Sequence, residues 1–147
     1  MAHYKIAWLA VSLLLCSHMA RASEAAGIVK SSKGNVVLER AGQKMAAPVG
    51  TAIQASDRLV TGADGAVGVT LRDHTLLSAG PNSTVDLNKY AFNSTTHAGA
   101  IDASVKRGTL SVISGKIAKA TPEAVSFSAP GMTLGVRGTS FLIDAGQ

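Results

Sequence analysis

Outside the first 22 residues, two histidines and scattered carboxylates are the groups of this 147-residue chain that could move a proton or hold a metal. Asp73 and His74 are adjacent, as a base and its orienting acid could be. Neighbours on a strand, however, point to opposite faces, and no Gly-x-Ser-x-Gly elbow supplies a serine nucleophile. His74 and His97 lie far apart, without His-x-x-x-His spacing or a carboxylate-rich loop, which argues against a structural metal. Gly62-Ala63-Asp64-Gly65 lacks the Lys that follows a phosphate cradle and reads as a hairpin turn. Asn82-Ser83-Thr84 and Asn93-Ser94-Thr95 match the glycosylation sequon, but such strings are frequent in turns and are read as turn residues. The residues therefore predict a non-enzymatic protein with no cofactor and no metal.

The elements that would position these groups are strands. Val67, Val69 and Leu71 alternate with Gly68, Thr70 and Arg72; Val85 and Leu87 alternate up to Tyr90-Ala91-Phe92; Ile101, Ala103 and Val105 alternate with Asp102, Ser104 and Lys106. Period 2 puts each set on one face of a half-buried sheet. Val36-Val37-Leu38, Leu110 with Val112, Val125 with Phe127, and Phe141 with Ile143 continue the pattern. Asp64-Gly65, Gly80-Pro81-Asn82-Ser83, Ser114-Gly115 and Pro130-Gly131 read as turns between them. Asn93–Gly99 reads as a loop, and Lys116–Thr121 as a loop that is either one turn of helix or an extended link stopping at Pro122. At least seven short strands without βαβ alternation predict an all-β, antiparallel-rich β-sandwich or β-roll.

The first 22 residues distort the composition, with 16 apolar residues against 52 in the remaining 125. Lys5, the apolar run Ile6–Cys16 and the closing Ala20-Arg21-Ala22 have the pattern of a cleaved signal peptide over 1–22, leaving one domain over 23–147. The run is shorter than the roughly 20 residues that cross a bilayer. Leu15 is too large for the residue before a lipidated cysteine, which disfavours lipidation at Cys16. Without Lys5 and Arg21 the 14 basic residues become 12 against 9 acidic, so a formal charge of +5 falls to +3. The basic residues are scattered, with only Lys106-Arg107 adjacent and no interleaved aromatics, which argues against a nucleic-acid partner. The leader also holds the only Cys and Trp, so the remainder would have neither a disulfide nor a thiol nucleophile.

An ordered series of motifs resembles the FecR domain, named after the ferric-citrate regulator. It runs through Gly34-Asn35-Val36-Val37, Arg40-Ala41-Gly42, Ala47-Pro48-Val49-Gly50-Thr51 with Ile53, and Ser56-Asp57-Arg58-Leu59-Val60-Thr61-Gly62. It continues through Gly65–Asp73, the corner Pro81-Asn82-Ser83, and the closing box Val136-Arg137-Gly138-Thr139-Ser140-Phe141, covering about Gly27 to Ile143. The residues singled out are Asp57, Thr61, Gly62, Asn82, Ser83, Arg137, Gly138, Thr139 and Phe141, mostly in architectural roles. Asp57 is expected to cap backbone donors in a turn, and Gly138 to permit a bend or close backbone approach before the strand Thr139–Ile143. The chain departs from the family at His74, where a glycine is usual and the turn would be strained or altered.

The resemblance implies a bacterial envelope protein, periplasmic or secreted, in the setting where relatives pass the state of an outer-membrane receptor to a sigma factor. Relatives of that kind combine a cytoplasmic sigma-binding segment, a membrane helix and a periplasmic domain, whereas a leader and one domain would not reach a cytoplasmic sigma factor. The expected function is that of an exported module binding an envelope protein in sensing, with strand addition at an open C-terminal edge as its mode. Two alternatives stand beside it. One is a glycan- or ligand-binding module that would use Tyr90 and Phe92 as an exposed platform, although core packing suits alternating aromatics better. The other is a truncated remnant of a longer anti-sigma-type regulator.

Overall fold

The alternating segments do form strands, and the computed structural model describes residues 24–146 apart from 137 and 139. The predicted leader over 1–22, with Cys16, lies outside the described residues, as do Arg137 and Thr139 of the closing box. Among the described residues thirteen strands follow one another: β1 (Gly27–Lys33), β2 (Val36–Arg40), β3 (Gln43–Ala46), β4 (Ala52–Ile53), β5 (Arg58–Thr61), β6 (Ala66–Leu71) and β7 (Leu76–Ala79), then β8 (Thr84–Phe92), β9 (Gly99–Arg107), β10 (Thr109–Ile113), β11 (Val125–Ala129), β12 (Met132–Gly135) and β13 (Ser140–Asp144). A short helix, α1 (Lys116–Ala120), and a 3₁₀ turn at Pro122–Ala124 separate β10 from β11.

They build an all-β sandwich of two packed sheets. A six-stranded sheet has the order β13-β10-β7-β6-β1-β4, and a seven-stranded sheet the order β12-β11-β9-β8-β5-β2-β3. Every pairing among the described residues is antiparallel except β9 with β11. One core lies between the sheets. The six-stranded sheet contributes Val29, Val69, Leu71, Leu110, Val112 and Ile143, and the seven-stranded sheet Leu38, Leu59, Val85, Ile101, Val105 and Phe127. Burying each such side chain is worth roughly 1.5–3 kcal/mol. In β6 the alternation is complete, with Val67, Val69 and Leu71 buried and Ala66, Gly68 and Thr70 only partly so.

The structure corrects two expectations, for Ser114-Gly115 and for Asp73-His74, and decides the alternative left open at Lys116–Thr121. Lys116–Thr121 is helical over Lys116–Ala120, and Ser114-Gly115 leads into that helix instead of reversing one strand into the next. Asp73 and His74 sit in the turn between β6 and β7, not on a strand, and His74 takes a φ of 70°, the left-handed conformation that the missing glycine would have accepted. The sheets are antiparallel-rich as expected, with one parallel pair: β9 and β11 run side by side because the chain crosses to the other sheet through β10 and returns through α1.

Candidate functional site

Four of the singled-out residues meet at one end of the sandwich. The chain passes from one sheet to the other at four places there: Gly34-Asn35, Gly62–Gly65, Gly80–Ser83 and Gly108. The Thr61 hydroxyl donates to the Gly80 carbonyl at 2.6 Å and accepts the Ser83 N–H at 2.9 Å. Gly62 donates its N–H to the Asn35 carbonyl, and its own carbonyl accepts the N–H groups of Gly65 and Asn82 at 3.0 Å each. Asn82 makes the corner with a φ of 52°, which asparagine tolerates better than most residues. The Ser83 hydroxyl accepts the Thr109 N–H at 3.0 Å and lies 3.2 Å from the Thr109 carbonyl. Gly108, at a φ of 81°, leaves no space for a side chain, since a Cβ would come within 2.6 Å of the Ser83 Cα and 2.7 Å of the Asn82 carbonyl oxygen. The cluster is a clasp that ties the start of β10 in one sheet to β5 and β8 in the other.

Asp57 lies at the other end of β5. Its side chain is 1% exposed and accepts Arg40 Nε at 2.8 Å, Arg40 Nη2 at 2.6 Å and the Gln54 N–H at 2.7 Å. The hydrogen bond to Asp57 raises the Arg40 guanidinium above its ordinary value. The Gln54 contact is the local turn cap that an aspartate supplies; the Arg40 fork comes from β2, where the sequence signalled only a turn. Beside it opens a polar cleft of about 360 Å³ lined by Glu39, Lys44, Asp57, Arg58, Asp86 and Asn88. Its charges are already matched. Arg58 forks onto Asp86 at 2.6 and 2.9 Å, Glu39 faces Lys44 at 3.7 Å, and these pairs share one register line across β3, β2, β5 and β8. The cleft is thus lined by a ladder of charges paired with one another across neighbouring strands.

Sequence reasoning weighed Asp73 only beside His74 and missed that it is the most densely bonded carboxylate among the described residues. Asp73 is 0% exposed. Its carboxylate accepts the Thr75 hydroxyl at 2.7 Å, the Thr75 N–H at 3.3 Å, the Tyr90 hydroxyl at 3.1 Å and the Ile117 N–H at 3.2 Å. The Asp73 carbonyl accepts the Lys116 N–H at 2.8 Å, so Asp73 seats the start of α1 from a distant turn. Burial first, then the Asp73 charge, push the Tyr90 hydroxyl far above its ordinary value. The Tyr90 ring also carries the Arg72 guanidinium, 5.6 Å from its centroid, and Phe92 stacks on His97 with centroids 6.3 Å apart. Both aromatics are only partly exposed and pack against the core. Among the described residues no three His, Cys, Asp or Glu side chains gather to hold a metal ion.

The remaining singled-out residues that are described, Gly138 and Phe141, lie at the C-terminal strands, away from the clasp and from Asp57. Phe141 meets Phe127 edge to face, centroids 5.3 Å apart. Gly138 is exposed, and a Cβ there would have nothing within 4 Å, so it serves a bend and not a close approach. The strand it precedes begins at Ser140 among the described residues. A cavity of about 210 Å³ opens between β12 and β13, lined by Leu134, Val136, Phe141 and Leu142 among others. The singled-out residues that are described thus occupy three separate places and do not converge on one pocket.

Comparison with known families gives a match. A family model described as FecR protein matches residues 57–147, more than half of the chain. The motifs from Asp57 onward fall inside it, and those from Gly34 to Ile53 precede it. No curated protein and no solved structure matches.

Proposed function

The chain belongs to the FecR family, and from that premise we propose that it is an exported, non-enzymatic module that binds an envelope protein by accepting a strand at β13. The family is regulatory and associated with the bacterial envelope. No helix among the described residues is long and apolar enough to cross a membrane. The proposal includes removal of residues 1–22 as a signal peptide, a folded domain over 23–147, and action in the periplasm or outside the cell. The nine family-motif residues serve the scaffold in this proposal, the clasp and Asp57 holding the sandwich while Phe141 stands at the binding edge.

One observation carries it. β13 is the last strand of the six-stranded sheet, and among the described residues it pairs only with β10, leaving a row of backbone donors and acceptors open. The cavity between β12 and β13, with Leu134, Val136, Phe141 and Leu142 in its lining, lies beside that row and would take side chains of an added strand. The aromatic platform of a glycan-binding module finds less support, because the Tyr90 hydroxyl is engaged by Asp73 and Phe92 faces His97.

The test is a photo-crosslinking amino acid placed at Leu142 and, as a control, at Val60 on the outer face of the other sheet, in the full chain expressed in a bacterial envelope. Adducts with another envelope protein from position 142 and not from position 60 are expected, on a chain whose N-terminus has become Ser23. Equal adducts from both positions, or none from 142, would overturn strand addition; retention of Met1 on the envelope-located chain would overturn the leader.

A further inference from the structure

The β13 edge differs from the other sheet edges in its protection. Natural sheets blunt their edges by shortness, lysine, proline or a bulge. The opposite edge of the same sheet, β4, is two residues long, and β3 at the edge of the second sheet carries Lys44. β12 is four residues long and ends in Gly135. By contrast β13 has five residues, Ser140-Phe141-Leu142-Ile143-Asp144, without lysine or proline, and its register with β10 is unbroken from Thr109 opposite Asp144 to Ile113 opposite Ser140. Leu142 is 67% exposed, more than any other large apolar residue described.

The geometry points to a second copy of this chain as an occupant of that edge, β13 pairing antiparallel with itself about Leu142. A two-fold axis makes such a contact self-complementary: if residue i faces j, then j faces i. Only a sequence that reads well against its own reverse can use it, and this one does. Leu142 would lie opposite Leu142 of the second copy and bury the most exposed large apolar side chain described. On the other face Phe141 would lie opposite Ile143, an aromatic and β-branched pair of the kind that stabilises sheets, and both already point towards the core side. At the ends Ser140 would lie opposite Asp144, a hydroxyl donor against a carboxylate acceptor, with no like charges facing. A shift of the axis by half a register step would place Leu142 opposite Phe141 or Ile143 of a strand whose faces no longer match.

Pairing joins two six-stranded sheets into one continuous sheet. The contact is a single five-residue strand, about 17 Å long at 3.4 Å per residue, well short of the roughly 800 Å² per partner of a stable complex. The dimer is therefore weak and concentration-dependent. It uses the same edge as the proposed function and would compete with a partner strand there, so self-association regulates access to the site.

The test uses sedimentation of the purified chain between about 1 μM and 1 mM, the range in which weak complexes dissociate, with Leu142→Lys and Leu142→Glu. The wild-type mass is expected to climb towards two chains. Each variant alone places like charges opposite each other and stays monomeric, while an equimolar mixture of the two recovers dimer, because only residue 142 facing itself makes the charges complementary. Hydrogen exchange of the wild type gives a variant-free check: β13 amides slow with concentration and β3 amides do not. A wild type that stays monomeric at 1 mM with β13 exchange unchanged overturns the proposal, as does a mixture that fails to recover dimer. Self-association can fail while foreign adducts form at position 142, and those adducts can fail while the dimer forms, so the two proposals fall separately.

Discussion

Ser83 shows how a family motif is turned into stability by a few atoms. Its side chain lies between Thr109 and the turn before β8 with 1% exposure, so Ser83→Ala leaves the Thr109 N–H without its acceptor. A buried donor stripped of its partner costs about 1–3 kcal/mol, and thermal or urea unfolding should show a loss of that size. His74 has the opposite sign. It is exposed, holds a φ of 70° and makes no side-chain hydrogen bond in the described structure, so glycine there relieves the left-handed penalty of roughly 1–2 kcal/mol at an entropic cost of about 0.5–1. His74→Gly is expected to gain roughly 0.5–1 kcal/mol in urea unfolding; an unchanged or lowered midpoint would mean that the turn is not strained by histidine. The sequence marked Thr61, Gly62, Asn82 and Ser83 as motif residues and marked His74 as the odd residue in its turn. It did not mark Gly108 as part of the same corner, because the partner that forbids its side chain, Ser83, is distant in the chain and close only after the sheets pack.

At the scale of elements, strands were legible, while the short helix was legible only as one of two readings of Lys116–Thr121. Alternation over five or more residues exposes β6, β8, β9 and β10 directly, whereas β4, with two residues, has too few positions to show a period. The five residues of α1 likewise give little more than one turn, and an isolated helix that short does not hold in water. Its seat is tertiary: Asp73 accepts the Ile117 N–H across 44 residues, and Gly115 packs so closely that a Cβ would lie 2.5 Å from the Thr75 nitrogen. Tyr90 completes this seat and makes it sensitive to alkali. Burial and the Asp73 carboxylate hold its hydroxyl protonated above the ordinary value of 10.0. The folded-state value is raised, so the contribution is whole below about pH 10 and is lost as the unfolded chain, but not the folded one, gives up the proton. Tyr90→Phe should cost about 1–3 kcal/mol at pH 8 through the lost hydroxyl contacts. It should also flatten the stability decline above pH 10 relative to the parent chain; parallel curves for the two proteins in urea unfolding from pH 8 to 11 would sink this account.

At the scale of the whole molecule, the two outer faces are unlike. The seven-stranded sheet carries the line Lys44, Glu39, Arg58 and Asp86, continued by Ser104 and Ser128, whose hydroxyls lie 2.9 Å apart. The six-stranded sheet carries on one register line Ile28, Thr70, Leu76 and Ile113, with three of the four apolar and at least 39% exposed. The next line of that face, Ser31, Gly68, Ser78 and Ser111, is polar and runs out to Leu142, so the exposed apolar residues form a stripe beside it. The same topology governs folding. Because the chain changes sheets at nearly every turn of the clasp end, sheet neighbours are often distant in sequence: β10 finds β7, β11 finds β9 across an excursion into the other sheet, and β8 finds β5. Loop closure must be spent before those contacts return free energy, so refolding is expected in milliseconds to seconds and not in microseconds. One core joins both sheets and the clasp locks them together, so in the domain over 23–147, where Tyr90 is the sole Tyr and no Trp is present, tyrosine fluorescence and far-ultraviolet dichroism should report the same urea midpoint. Separate midpoints would mean that the sheets part before either unfolds. Ser83→Ala distinguishes the clasp's role in that coupling: if the corner forms only after the sheets meet, the variant unfolds faster while its refolding rate holds, and if the corner nucleates the sandwich, refolding slows by the full loss in stability.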